Sequence, residues 1–310
     1  MRAQIIAGIV AVVNATTDAR ERPREAERLP ADARLGAIEL TVGDLERSLR
    51  FYTEIVGLER LDGEGGVARL GAGGEELAVL HEAPGARRPG REAGLYHFAL
   101  LYPTRTELAR AAARIARGRS PIDGASDHGT HEAIYLPDPD GIGVELAADR
   151  PREQWPDLRQ AGADFFSNGP QPLDVRGLIE SVAFEEPRRG VAAGLRVGHV
   201  HLHVGDLEAA TRFYRDGLGF EVMAELPTAA FVSFGGYHHH VAFNLWRGRG
   251  IPAAADEQVI GLRHWTLELA RAQDRAALER RLRLAGAPVQ RVAGGLMARD
   301  PANIAVRVGG

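Results

Sequence analysis

The segment Val42-Gly-Asp-Leu-Glu-Arg-Ser-Leu-Arg-Phe-Tyr52 returns 162 positions later as Val204-Gly-Asp-Leu-Glu-Ala-Ala-Thr-Arg-Phe-Tyr214. A repeat constrains the fold more tightly than local propensity, because both copies must form the same supersecondary unit. Each copy follows an alternating stretch, Ala37-Ile-Glu-Leu-Thr-Val42 or His199-Val-His-Leu-His-Val204, and ends at a glycine, Gly57 or Gly219. Alternation reads as a strand, and Asp44 or Asp206 stands where an N-cap opens a helix. A second pair, Gly94-Leu-Tyr-His-Phe-Ala-Leu100 and Gly261-Leu-Arg-His-Trp-Thr-Leu267, leads into helices expected near 105–117 and 273–285. The pair Asp138-Pro-Asp-Gly and Asp300-Pro-Ala-Asn closes the pattern as turns into last strands. The chain therefore divides into four modules of roughly fifty residues, each a strand and a helix followed by further strands.

The expected organisation is a tail over 1–34, modules one and two over 35–148, a linker with a short helix near 173–184 within 149–195, and modules three and four over 196–310. With 310 residues the chain suits two domains better than one. Hydrophobic residues at 45% and charged residues at 26% supply an ordinary core. A net charge of -4 leaves no broad basic face for nucleic acid, so a small molecule is the expected ligand. Cysteine is absent, which removes disulfides, thiolate nucleophiles and thiolate metal sites together, so a metal must be held by His and carboxylate. The apolar run 5–13 is too short to span a membrane and has one positive side chain before it; it reads as part of a tail rather than a leader, and the expected location is cytoplasmic. Asp138 and Asp140 read as turn residues rather than calcium ligands, and Gly71-Ala-Gly-Gly74 reads as a hairpin because it lacks the Lys and helix of a phosphate loop.

Six of the eleven histidines fall in two clusters, His199/His201/His203 and His238/His239/His240. Alternation turns the first three to one face of a strand while Val200, Leu202 and Val204 turn towards the helices. A histidine-lined concave face follows, although a merely wet sheet face would also suit any one of these residues.

The four-module pattern resembles the vicinal oxygen chelate superfamily, in which βαβββ modules pair into two open, cup-shaped β-sheets around a divalent metal. The expected class is therefore α+β. More narrowly, Gly94-Leu-Tyr-His-Phe-Ala, Tyr135-Leu-Pro-Asp-Pro-Asp-Gly-Ile-Gly-Val-Glu-Leu146, Gly198-His-Val-His-Leu-His-Val204 and Gly235-Gly-Tyr-His-His-His240 resemble bacterial catechol 2,3-dioxygenases of the CatE type. The superfamily places ligands at inward positions of first and last strands. Those slots hold Ala37, His97, His199 and His264 in modules one to four, with Glu145 and Arg307 in the last strands of modules two and four. Sequential pairing of modules completes no site. Pairing two with three and one with four gathers His97, Glu145 and His199 in one cup and leaves Ala37, His264 and Arg307 in the other. A competing ligand set is His199, His264 and Glu268.

Two imidazoles and one carboxylate suit non-haem Fe(II), with Mn(II) as the substitute. The resemblance implies an extradiol dioxygenase that opens a catechol ring next to the diol with dioxygen. Alternation over 237–246 turns His240 to the cup and makes it the acid/base candidate, since imidazole titrates near neutrality. His201, His128 and Tyr237 are expected to orient substrate or support the ligands. A glyoxalase I reading lacks a further carboxylate ligand. A non-catalytic small-molecule-binding protein on the same cups, or another metalloenzyme of the superfamily such as a hydroquinone dioxygenase, stays open, as does a monomer or homo-oligomer.

Overall fold

The computed structural model describes residues 28–158, 164–165, 169–186, 190–255 and 258–310. Each copy of the repeat opens as expected. The Asp44 and Asp206 side chains accept the backbone N–H of Arg47 (2.9 Å) and Ala209 (3.0 Å), satisfying donors that the first turns of Leu45–Arg50 and Leu207–Arg212 leave free. Both helices then widen into a π turn, Phe51–Val56 and Phe213–Leu218, and stop at a glycine with φ of 94° or 93°. That left-handed conformation costs a glycine little and any other residue more, which accounts for the repeated Gly57 and Gly219. The widened turn carries Tyr52 and Tyr214 inward, where their hydroxyls donate to Asp138 and Asp300, 3.2 Å in both halves.

The strands form two sheets. One runs in the order Val289–Val292, Gly295–Arg299, Ala305–Gly309, Gly261–Glu268, Arg34–Val42, Glu75–Glu82, Val67–Ala72 and Glu59–Asp62, and so unites modules four and one. The other runs Glu221–Leu226, Ala229–Ser233, Val241–Asn244, Arg196–His203, Gly94–Tyr102, Gly143–Asp149, His131–Pro137, Gly124–Asp127 and Gln171–Pro172, uniting three and two. At each centre two first strands pair antiparallel, and each is flanked by a parallel last or inner strand. The halves of the chain are therefore interleaved rather than folded side by side.

Two boundaries differ from expectation. The expected tail lies outside the described residues up to 27, but from residue 28 the chain packs: Leu29 is buried and its N–H reaches the Gly219 carbonyl at 2.8 Å. The interval 149–195 is more than a tether, because Gln171–Pro172 extends a sheet edge and Val175–Glu180, capped by Asp174, buries Leu178 completely. A third difference bears on the site. The strand expected over 237–246 is confined to Val241–Asn244, with His238 and His239 in the preceding loop.

The core lies between sheets and helices. Phe98 and Trp265, the residues after His97 and His264, are both fully buried on the opposite face from those histidines. Truncating such a ring costs about 3–5 kcal/mol, so packing on one face anchors the polar residues of the other. Among the described residues no helix is long and apolar enough to cross a membrane.

Candidate metal centre

His97 sits on Gly94–Tyr102, His199 on the adjacent Arg196–His203 and Glu145 on Gly143–Asp149, three neighbouring strands at the centre of one sheet. Their donor atoms form a nearly equilateral triangle. Nε2 of His97 and of His199 stand 3.2 Å apart, and Glu145 Oε2 is 3.1 Å from the first and 3.0 Å from the second. Three donors on one face of an octahedron, each about 2.1 Å from a divalent ion, stand roughly 3.0 Å apart, so the triangle has the size such an ion requires. All three side chains are buried, and among the described residues they are the three whose donor atoms gather this closely.

The electrostatics favour a cation. Burial alone would push the Glu145 carboxyl up, but His199 and the close ring nitrogens of His131 and His97 outweigh it and hold Glu145 well below the usual carboxylate range. Burial lowers His199, with Glu145 opposing. The result is an ionised carboxylate beside a His199 imidazole that sheds its proton easily, which is the protonation state metal binding demands. Glu145 Oε1 has no hydrogen bond; His131 Nε2 approaches it at 3.4 Å without the alignment to make one.

Close backbone approach assembles this cluster. A Cβ on Gly143 would stand 2.3 Å from the Tyr96 carbonyl oxygen and 3.0 Å from His97 Cβ, so only glycine lets the Glu145 strand lie against the His97 strand here.

Around the triangle stand the other expected residues. His201 is 5.1 Å from His97, ring centre to ring centre, and its state follows from one amide. The Trp246 N–H donates to Asn244 Oδ1 at 3.0 Å, so the Asn244 Nδ2 group donates to His201 Nε2 at 2.9 Å, and His203 Nδ1 donates to the same Oδ1 at 2.8 Å. His201 is thereby a neutral acceptor, and burial, then His97, His199 and His203, hold it well below 6.5. Tyr237 donates to Asp149 Oδ1 (2.9 Å) and packs on the cup floor with Leu101, Ala133 and Ala147. His128 pairs with the Tyr135 hydroxyl at 2.8 Å and is pushed down to about 3, chiefly by burial. His240 is directed elsewhere: its Nδ1 meets Ser233 Oγ at 2.8 Å, its ring stacks on Phe234 at 3.6 Å, and it lines a cleft between the two sheets. The backbone ladder continues through it, with the Val200 N–H donating to the His240 carbonyl (3.0 Å) and the His240 N–H to that of Val232 (2.9 Å), so alternation holds at this position but does not set where the ring packs.

Three neighbours went unread in the sequence. The His239 ring lies 4.3 Å from that of His199. His131 and His238 stack on each other at 4.4 Å, and His128 stacks on His131 at 4.5 Å, making a column of imidazoles along one side of the cup. His131 was accessible to the same period-two reading that exposes Glu145, since His131, Ala133 and Tyr135 lie opposite Asp149, Ala147 and Glu145. His238 and His239 had no periodic signal, because they sit in a loop. The competing set is not brought together: His264 and Glu268 lie on the other sheet, where His264 Nε2 faces Glu39 Oε1 at 3.5 Å.

Comparison with known proteins agrees with this architecture. Residues 34–146 match the glyoxalase/bleomycin resistance protein/dioxygenase superfamily and residues 196–236 a bleomycin resistance protein-like N-terminal family. The chain is 38% identical over 275 residues to catechol-2,3-dioxygenase of Bacillus subtilis, covering 87% of this chain and 94% of that one. A solved Bacillus subtilis structure shares the fold (TM-score 0.60, 13% identity, 89% of this chain and 84% of that one), as does glyoxalase I of Zea mays (TM-score 0.56, 18% identity, 89% and 92%). With close identity along nearly its whole length to one member, the chain belongs to the glyoxalase/bleomycin resistance protein/dioxygenase superfamily, as a catechol-2,3-dioxygenase-like enzyme.

Proposed function

We propose that this enzyme is an extradiol dioxygenase that cleaves catechol-like aromatic diols with dioxygen, using Fe(II), or Mn(II) in its place, held by His97, Glu145 and His199. The buried triangle of two imidazole nitrogens and one carboxylate oxygen, with sides of 3.0–3.2 Å, carries the reading. Bound there, the metal supplies a Lewis acid that lowers the pKa of the diol and open positions that bring both reactants together. The protein does the rest. Glu145 contributes one negative charge and the two histidines none, which leaves part of the ion's charge for an anionic diol. His239, held neutral well below 6.5 chiefly by burial, is placed beside His199 to take a proton from the diol and return it to the product. His201 cannot perform that transfer through Nε2, which is occupied by the Asn244 amide, so it positions rather than relays. The imidazole column and the Tyr237 floor shield the centre from water.

Anaerobic loading with Fe(II), followed by catechol and air, should produce the yellow ring-opened product with one metal per chain. His97→Ala should abolish both metal and colour. His239→Ala should keep the metal and lose about 100-fold in turnover, the ordinary contribution of a proton-transfer group, whereas His240→Ala should change turnover only a few-fold. Catechol that binds without ring opening in the loaded protein would replace this reading with that of a sequestering protein.

A further inference from the structure

The cup is lopsided. On the far side of His199 stands the imidazole column; on the far side of His97 stand two aromatic side chains, Tyr96 and Trp246, with 41% and 54% of their surfaces exposed. Most other large rings are buried in the core, and a touching, exposed pair of them marks a surface kept free for a ligand.

Tyr96 reaches this position through a β-bulge. His201 pairs with His97 but Leu202 pairs with Leu95, so Tyr96 is the extra residue, and its ring swings from the core face to the cup, 4.8 Å from His97, 5.2 Å from His201 and 5.0 Å from His203. Trp246 follows Val241–Asn244 in a turn fixed by its own N–H to Asn244 Oδ1, and its ring lies 5.2 Å from Tyr96, edge to face, and 5.1 Å from His201. One amide thus sets both His201 and the Trp246 turn.

We infer that Tyr96 and Trp246 form a specificity subsite for a flat apolar substituent on the substrate ring, so that the preferred diol is an arylcatechol rather than catechol itself. This rests on the ring-cleavage reading above. With the diol at the triangle, a substituent directed past His97 meets the Tyr96 and Trp246 rings, and each ring contact is worth about 2–12-fold in affinity.

The test is calorimetric titration of the Fe(II)-loaded protein under argon with catechol and with 4-phenylcatechol. The wild-type chain should bind 4-phenylcatechol at least about tenfold more tightly. Tyr96→Leu and Trp246→Leu, which keep bulk and remove the ring, should each weaken 4-phenylcatechol about 3–10-fold while moving catechol less than about twofold, and Tyr96→Phe should retain the wild-type ratio. Equal weakening of both ligands, or an unchanged ratio in both Leu variants, overturns the subsite alone. Failure of the wild-type protein to bind either diol overturns the ring-cleavage reading and the subsite with it.

Discussion

In the sheet of modules two and three, Val197 pairs with Leu100, His201 with His97 and Leu202 with Leu95; in the sheet of modules one and four, Leu35 pairs with Leu267, Glu39 with His264 and Leu40 with Leu262. The register is the same, bulges included, so the two backbones offer the same slots to different side chains. His199 becomes Ala37, Glu145 becomes Arg307, and His264 alone keeps a ligand type. Glu39 stands in the place of His201 and is taken up by His81 at 2.8 Å, while Arg307 holds the Ala293 carbonyl and adds a positive charge that, after burial, pushes His264 down. The comparison separates scaffold from chemistry: register, caps and bulges build a cup, and under the function proposed above three side chains decide whether it attracts a cation.

The strongest way to break that conclusion is to restore the second cup. Ala37→His with Arg307→Glu should raise the Mn(II) content from one to two ions per chain by elemental analysis. Ala37→His alone should leave it at one, because the guanidinium still occupies the carboxylate position and repels the ion. A double variant that stays at one ion would mean that the backbone register does not carry the ligand geometry.

A smaller effect sharpens the comparison at the point of closest approach. Gly143 has Ala305 as its counterpart, so a methyl is tolerated in the sheet of modules one and four, whereas beside His97 it would meet the Tyr96 carbonyl at 2.3 Å. Gly143→Ala should cost about 1–3 kcal/mol in denaturant unfolding and weaken metal binding, and a neutral result would show that the strands can part without cost.

The smallest effect tests what the halves share. Asp138 and Asp300 are both pushed up to about 6, chiefly by burial. Each folded value lies above the usual carboxyl value near 3.8, so the native state binds more protons than the unfolded chain between about pH 4 and 6, and the stability these groups contribute is lost as pH rises through 6. Asp138→Asn and Asp300→Asn keep the turn's Oδ1 acceptor and remove the charge, and the amide nitrogen that replaces Oδ2 donates to the Tyr52 or Tyr214 hydroxyl instead of accepting from it. Each should raise stability by about 1–2 kcal/mol at pH 7.5 and by little at pH 4. A gain in only one half would show that the two turns differ more than their matching hydrogen bonds imply.

Much of the scaffold was legible in the sequence because the repeat recurs at one spacing and the strands alternate. His97, Glu145 and His199 stood out once the superfamily's slots were laid on the four modules, and their gathering in one cup followed from asking which pairing left none of them alone. What stayed hidden lies where periodicity fails. The bulge at Tyr96 reverses the face that alternation assigns, and the loop before Val241 places His239, not His240, beside His199. The edge strand Gln171–Pro172 and the docking of Leu178 come from a segment too rich in Pro, Gly and charge to show a pattern.

The claim on which the rest depends is that one divalent ion sits among His97 Nε2, His199 Nε2 and a Glu145 oxygen. Anomalous diffraction from anaerobically grown crystals, measured at the absorption edge of the loaded iron or manganese, tests it directly. The account predicts one strong peak about 2.0–2.3 Å from all three atoms and none in the sheet of modules one and four. A peak between Glu39, His81 and His264, or no peak at the triangle in protein that retains its metal, would contradict it.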